Sequence, residues 1–315
     1  LIVSLWAAYG INCWYTKDVI ELIGNMPEVR EIKWDKDIPP EELLDNGPAN
    51  IKSVTTTLTS TPEWGVTKIK APDVWNLGIT GQNTLVAVLD DGCNYNHPDL
   101  ADHLWDGKNV ITGQVLYYDK NNNKIKDTGE PDLTQHGWDI IGNDNDPIDG
   151  GSHGTLVAGI AVGDGTGGRQ TGVAPDANLM IIRCVGTEGN MMAGFDWLYK
   201  MKERWEDSIK LPDVITMSAT MKFYNQPAYE AWRNLCYNDV VGLGIAHTNS
   251  IGNQGSQTTG GCNGSTPYGT PIPYNIAAPG NVPPAWLHPN QAAPLPTAAP
   301  DNHVNSVSPK MVQEH

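Results

Sequence analysis

Residues 84–92 read Thr-Leu-Val-Ala-Val-Leu-Asp-Asp-Gly, an apolar run that ends in two carboxylates and a glycine. Three further apolar runs, at 179–183, 213–217 and 240–246, are also bounded by Gly, Asp or Asn and lack strict alternation of apolar and polar residues. Runs of this kind are typical of parallel strands that are buried on both faces. The sequence therefore predicts a buried parallel sheet, with Asp90 directly after its first strand.

Helical patterns lie between these strand runs. Two sets of apolar residues occur at helical spacing, and the members of each set share one helix face. They are Phe195, Leu198, Met201 and Trp205, and then Ala228, Trp232, Leu235 and Cys236. Strands that alternate with such helices predict an α/β fold, here a doubly wound, mostly parallel sheet with helices on both faces. In such sheets ligands bind beyond the carboxyl ends of the strands, where Asp90 lies.

The composition is that of a globular chain with room for one substantial core. The 315 residues include 33 Gly and 23 Pro and carry a formal net charge of -16. At this length we expect one large domain and a small accessory segment. The negative charge argues against nucleic-acid binding, and no apolar run reaches the ~18 residues of a membrane span. We therefore expect neither a nucleic-acid partner nor a membrane span.

Three short motifs follow one another along the chain. They are Asp-Asp-Gly at 90–92, His-Pro-Asp-Leu at 97–100 and Ser-His-Gly-Thr-Leu-Val-Ala-Gly at 152–159. Together they resemble the Asp and His blocks of the subtilisin-like serine peptidases, peptidase family S8. Residues 63–75 resemble the mature N-terminus of bacterial members of the bacillopeptidase F kind. The resemblance implies a subtilisin-like endopeptidase that acts on proteins or peptides.

Hydrolysis of a peptide bond by a serine needs a base, a carboxylate that orients this base, and donors for the oxyanion. The resemblance assigns the first two parts to His153 and Asp90. Asp90 would accept the Nδ1 proton of His153, which acts as general base and then as general acid. Ser152 is a candidate N-cap for a helix over 154–162, directly after the histidine.

The resemblance also implies an oxyanion donor and a substrate-binding strand. Asn253, within Ser-Ile-Gly-Asn-Gln-Gly, corresponds to the Ala-Gly-Asn block of the family, whose amide donates to the oxyanion. Ser218, Ala219 and Thr220 correspond to the strand whose backbone pairs with the peptide. The family usually has Ser-Leu-Gly there, so we expect the β-branched Thr220 to narrow the pocket.

The nucleophile of the triad is the part that the sequence lacks. A Gly-Thr-Ser-Met-Ala type block, which carries it in the family, occurs nowhere in the 315 residues. Ser306 and Ser308 are the hydroxyl groups nearest to its expected place, but no glycine or helical pattern adjoins them. We therefore expect a peptidase that is truncated before its serine and is inactive as it stands. The alternative is a catalytically dead, calcium-stabilised module that binds extended peptides.

The chain is predicted to divide into four parts. Residues 1–35, with a short helix after Thr16, resemble the closing half of the inhibitory propeptide of secreted subtilases; an N-terminal layer of the main domain is the alternative. Residues 36–60 are rich in Pro, acidic residues, Asn and Thr, and predict a linker. Residues 61–290 would form the peptidase domain, whereas 291–315 have no periodic pattern and are expected to be disordered. The resemblance implies a secreted bacterial protein that interacts with its own propeptide.

Residues 119–130 form an acidic, Asn-rich segment ahead of the histidine. Oxygen-bearing groups occupy positions 1, 3, 5, 7, 9 and 12 of this segment, which are the ligand positions of an EF-hand loop. They are Asp119, Asn121, Asn123, the carbonyl of Ile125, Asp127 and Glu130. Lys124 stands at the sixth position, where the motif has glycine for a sharp turn. The pattern predicts a structural calcium ion, and a solvated Asn-rich turn is the alternative.

Overall fold

The main feature of the computed structural model is a parallel sheet with helices on both faces. The structure describes residues 2–5, 10–13, 16–27, 29, 32, 61–133, 136–148, 152–219, 232, 234–235 and 243–250. Its strands are β1 (Ile2–Leu5), β2 (Gly10–Cys13), β3 (Thr61–Pro62), β4 (Leu85–Asp90), β5 (Gly137–Asp139), β6 (Arg169–Gln170), β7 (Asn178–Arg183), β8 (Val214–Met217) and β9 (Ala246–Asn249). Its helices are α1 (Lys17–Gly24), α2 (Trp64–Lys68), α3 (Ala71–Trp75), α4 (His153–Val162) and α5 (Glu188–Trp205), and a 3-10 turn follows α5 at Glu206–Ser208.

Among the described strands, five form the main sheet in the order β5-β7-β4-β8-β9, and every neighbouring pair is parallel. This arrangement confirms the predicted α/β fold with its mostly parallel sheet. The chain passes from β7 on one side of β4 to β8 on the other side, so the winding direction reverses at β4. In sheets of this class the carboxyl end of the strand at such a reversal is where ligands bind. Asp90 is the last residue of β4.

Side chains of the central strand alternate between two apolar cores. Leu85 and Leu89 of β4 belong to the larger core, to which α5 also contributes. Val86 and Val88 belong to the smaller core, which includes the buried side of α4. Because successive side chains of a strand point to opposite faces of the sheet, α4 and α5 cover opposite faces.

Both predicted sets of helical residues contribute to the larger core where the structure describes them. The buried or partly buried members are Phe195, Leu198, Met201, Trp205, Trp232 and Leu235. Ala228 and Cys236 lie outside the described residues. Within the described part of the chain, no helix has the length and apolar character that crossing a membrane requires.

The last strand lies further along the chain than the sequence predicts. The apolar run 240–246 predicts a strand, but β9 begins only at Ala246. Leu243 is helical, and Gly244 has a positive φ of 72°, so the chain turns before the strand starts. A short apolar run fits a buried helix end as well as it fits a strand, and periodicity alone does not separate the two.

The N-terminal residues contain a hairpin and a helix. β1 and β2 pair antiparallel, and α1 begins directly after Thr16, in agreement with the predicted short helix. Strand β1 lies against α5. The linker 36–60 and the tail 291–315 lie outside the described residues, so both stay predictions.

His247 on β9 makes the stability of the fold sensitive to acid. Its ring contacts Phe195 edge to face with 4.9 Å between the ring centroids, and burial lowers the pKa of His247 from 6.5 to about 4. Between these two pH values the unfolded chain binds a proton that the folded chain does not, so the free energy of unfolding falls as the pH drops. We expect a loss of about 2 kcal/mol between pH 7 and pH 4 from this residue, somewhat less than the full pKa shift implies because the ring keeps some exposure.

Urea unfolding of the wild type and of His247→Leu at both pH values measures this loss. The variant should lose about 2 kcal/mol less on acidification, since carboxylates elsewhere titrate equally in both proteins. Equal losses in the two proteins would contradict the prediction.

Candidate active site

The structure brings together the two residues that the sequence proposes as carboxylate and base. Asp90 ends β4 and is almost fully buried, and His153 is the first residue of α4. The Nδ1 atom of His153 lies 2.7 Å from Oδ1 of Asp90, a distance at which the ring N–H donates a strong hydrogen bond to the carboxylate. With its Nδ1 proton held in this way, a neutral imidazole has Nε2 as its basic nitrogen. The pair can therefore accept a proton from a hydroxyl group that approaches Nε2.

A second carboxylate reaches the same helix end. The backbone N–H of Gly154 donates to Oδ1 of Asp91 at 2.8 Å. Ser152 stands at the N-cap position, but its side chain makes no capping hydrogen bond, so the predicted Ser152 cap is wrong. Asp91 provides the acceptor instead. Burial raises the pKa of Asp91 above its usual value, and the Gly154 hydrogen bond offsets part of this rise.

Gly154 permits a close approach between α4 and the turn after β4. A Cβ atom on this residue would lie 1.9 Å from the carbonyl oxygen of Gly92 and 3.0 Å from Cβ of Asp90. Only a residue without a side chain fits there. The glycine that follows the histidine is therefore part of what places His153 against Asp90.

Arg183 is a site residue that the sequence analysis missed. It ends β7, where the strand register places it opposite both Asp90 of β4 and Asp139 of β5. Its Nη1 atom lies 2.6 Å from Oδ2 of Asp139, and its Nε donates to the backbone oxygen of Asp91 at 3.2 Å. The backbone N–H groups of Cys184 and Val185 donate to the carbonyl of Asp90. The available signal was a charged residue at the end of a buried strand run, 179–183.

The predicted substrate-binding strand lies beside the Asp90 strand. β8 is the direct neighbour of β4, and Met217 pairs with Leu89. Ser218 and Ala219 therefore follow β8 at the same carboxyl edge at which Asp90 ends β4, with Ser218 partly exposed and Ala219 buried. Thr220 and the predicted oxyanion donor Asn253 lie outside the described residues.

Two carboxylates of the segment 119–130 accept hydrogen bonds from the backbone of the same segment. Asp119 is fully buried and accepts from the N–H groups of Asn123 and Lys124, and Glu130 accepts from those of Lys120 and Asp127. Each of these bonds joins a side chain at one of the expected ligand positions to the loop backbone.

Lys124 takes the conformation that the motif reserves for glycine. Its φ is +63°, in the left-handed region, and its ammonium group lies 3.4 Å from Oε1 of Glu206. A positive φ is uncommon for a residue with a side chain, so the backbone is strained at this sixth position. The ammonium group forms an exposed ion pair with Glu206, the residue that follows α5.

Another group of potential metal ligands occurs among the described residues. Asp102, His103 and Asp164 place one ligand atom each within 4.8 Å of one another. None of the three belongs to the segment 119–130 or to the Asp90 and His153 pair.

Comparison with known proteins identifies relatives for the greater part of this chain. A family model described as "Subtilase family" matches residues 81–302. Bacillopeptidase F of Bacillus subtilis is 30% identical over 212 residues, which are 64% of this chain and 13% of that protein. The major intracellular serine protease of the same species is 31% identical over 178 residues, 56% of this chain and 46% of that protein. The minor extracellular protease Vpr, also of B. subtilis, is 38% identical over 133 residues, 41% of this chain and 14% of that protein. The matched regions thus span less than half the length of each of these relatives.

Proposed function

The chain belongs to the subtilase family, and from that premise we propose that it is part of a serine endopeptidase. Asp90 and His153 would be two of the three residues of its Asp/His/Ser triad. The observation that carries the proposal is the 2.7 Å hydrogen bond between these residues at the switch point of the sheet. Asp90 would fix the imidazole tautomer and stabilise the imidazolium that forms when His153 takes the proton of a serine. Peptides would lie along the strand edge at Ser218 and Ala219, with Thr220 and Asn253 completing the substrate and oxyanion subsites.

We further propose that these 315 residues do not hydrolyse peptide bonds by themselves. The sequence contains Asp and His blocks but no Gly-Thr-Ser-Met-Ala type block. Without a nucleophile, substrate binding and any oxyanion donors provide only a small residual part of the rate enhancement. The serine would come from a segment that is not among these residues.

A test of the peptidase is to sequence the source DNA past codon 315 and treat the extended product with a serine-directed fluorophosphonate probe. We expect labelling of one serine, and labelling at least ~10⁴-fold slower in His153→Ala. Asp106→Asn is a matched control, since this exposed carboxylate pairs with Lys108 at 3.5 Å and its loss should leave labelling unchanged. Rapid labelling that survives His153→Ala would contradict the proposed triad.

The second candidate function is a pseudopeptidase that binds extended peptides without cleaving them. Such peptides would lie at Ser218 and Ala219, which follow β8 at the carboxyl edge of the sheet. A natural stop after codon 315, together with peptide binding and no probe labelling, would select this function.

We propose that the segment 119–130 holds a structural calcium ion. Its donors are carboxylate, amide and carbonyl oxygens, which suit a hard cation, and Asp119 and Glu130 are buried acidic groups at the first and last ligand positions. Asn121, Asn123, Ile125 and Asp127 would complete the set. An ion that binds only the folded chain would stabilise it.

The calcium proposal predicts a stability difference between calcium and chelator. At a calcium concentration of about 100 times the Kd, the free energy of unfolding should rise by about 2.7 kcal/mol over that in EGTA. Glu130→Gln should abolish most of this rise. Asp132→Asn is the control, because Asp132 follows the loop and pairs with Lys126. A wild type with equal stability in calcium and EGTA would refute the site.

We also propose that the protein is secreted and that residues 1–35 are the end of its inhibitory propeptide. The contact of β1 with α5 supports a role of the N-terminal hairpin as a partner of the peptidase domain. One relative is named extracellular and another intracellular, so the family membership supports secretion only in part. N-terminal sequencing of the protein from culture medium would test both points, with a mature N-terminus expected within or just after 36–60.

A further inference from the structure

We propose that Asp91 is a positioning residue, whose carboxylate holds the first turn of α4 so that His153 meets Asp90. The importance of this role for catalysis rests on the proposed peptidase function. The contacts themselves concern only the geometry of the Asp90 and His153 pair.

The two carboxylates bind the helix as a pair. Two consecutive residues at the end of β4, Asp90 and Asp91, contact two consecutive residues of α4, His153 and Gly154. The distances are 2.7 Å and 2.8 Å. One hydrogen bond to an imidazole leaves the ring free to swing about its side-chain bonds. A second bond, to the next backbone N–H, fixes the helix end from which the ring projects. The backbone bond therefore limits where Nδ1 of His153 can be.

The first turn of α4 depends on Asp91 for a partner. The N–H groups of a first turn have no acceptor within the helix, and Ser152 does not supply one from its side chain. Gly154 is buried, so its N–H would stay without an acceptor if Asp91 were absent. A negative charge is also favourable at the positive end of a helix dipole.

Asp91 is itself held in place by its backbone. Its N–H donates to Oδ1 of Asp90 at 2.8 Å, and its carbonyl accepts from Nε of Arg183 at 3.2 Å. Arg183 is anchored in turn by Asp139. A carboxylate on a backbone fixed at both ends can transmit position to α4, whereas one on a mobile loop could not.

The experiment uses the full 315-residue chain and needs neither the catalytic serine nor a peptide substrate. NMR of ¹⁵N-labelled protein would follow the His153 Nδ1–H resonance and the hydrogen exchange rate of the Gly154 amide. In Asp91→Ala we expect exchange at Gly154 to be at least about tenfold faster and the Nδ1–H resonance to be broadened by contact with water. In Asp91→Asn, whose amide oxygen can still accept from Gly154, both signals should stay close to those of the wild type.

Thr187→Ala is the matched control for a general loss of stability. Thr187 is the N-cap of α5 and accepts from the Asn190 N–H at 3.0 Å, so its loss weakens another helix start. The His153 resonance should not change in this variant. Three results would each overturn the proposal. The first is wild-type signals in Asp91→Ala, and the second is loss of the His153 resonance in the isosteric Asp91→Asn. The third is a change in Thr187→Ala as large as that in Asp91→Ala. A peptidase assay that failed would leave these readouts unaffected, so the two proposals fail separately.

Discussion

Replacing Gly154 with alanine should separate His153 from Asp90 and lower the free energy of unfolding by about 3 kcal/mol. The added Cβ would lie 1.9 Å from the carbonyl oxygen of Gly92, which is backbone and cannot rotate away as a side chain can. The start of α4 would have to move by more than an ångström. Such a shift exceeds what a 2.7 Å hydrogen bond tolerates, so the proposed catalytic pair would be lost together with stability.

Gly159→Ala provides the matched control within the same helix. A Cβ at Gly159 would meet only Oγ1 of Thr171, at 3.9 Å, and alanine is the better helix former by about 0.5–1 kcal/mol. Urea unfolding should therefore show Gly159→Ala to be as stable as the wild type or more stable. The His153 Nδ1–H resonance should be present in this variant and absent in Gly154→Ala. A Gly154→Ala protein with wild-type stability and resonance would show that α4 does not need this close approach.

Replacing Arg183 with methionine should lower the free energy of unfolding by about 3 kcal/mol. This value is at the lower end of the usual cost of removing one partner of a buried ion pair, because Arg183 keeps some exposure. The substitution leaves Asp139, which is 4% exposed, without its guanidinium partner. It also removes the donor to the Asp91 carbonyl. Chemical denaturation measures the loss, and the resonance of His153 reports whether the turn after β4 moves.

Two further variants test whether the loss of stability comes from the unpaired, buried Asp139 carboxylate. Lys210→Met breaks an exposed pair with Asp213 and should cost at most about 0.5 kcal/mol. In the double variant Arg183→Met with Asp139→Leu, the buried carboxylate is gone, so part of the stability should return. The return should be incomplete, because Asp139 also accepts from the N–H groups of Ile141 and Gly142. Arg183→Met and Lys210→Met variants of equal stability would refute the role of the buried pair.

The parts of the fold and site that follow from the sequence are those with local signals. An uninterrupted apolar run ending in Asp90 predicts a buried parallel strand, and β4 is one. His153 stands in a motif of eight residues, and its pairing with Asp90 follows from the family resemblance. The run 240–246 shows the limit, since a helix end and a strand share the same apolar signal there.

The supporting contacts could not be predicted because they join distant parts of the chain. Arg183 lies opposite Asp90 and Asp139 only through the register of three strands. Asp91 acts on a helix 63 residues later, and no local pattern distinguishes it from an ordinary turn residue. Ser152 matched a capping pattern, but the N–H of Gly154 at this helix start donates to Asp91, a carboxylate from another segment.

The position of β4 between β7 and β8 also determines when the site can exist. The N–H of Leu85, at the start of β4, donates to the carboxylate of Asp213, 128 residues later, and both neighbours of this strand follow it in the chain. Closing such long loops costs conformational entropy before the stabilising contacts between the strands form, so folds of this kind form slowly. Asp90 would leave the ribosome long before the strands that enclose it. A nascent or partly folded chain would therefore have the residues of the site but not the site itself, and any activity would begin only once the whole topology is complete.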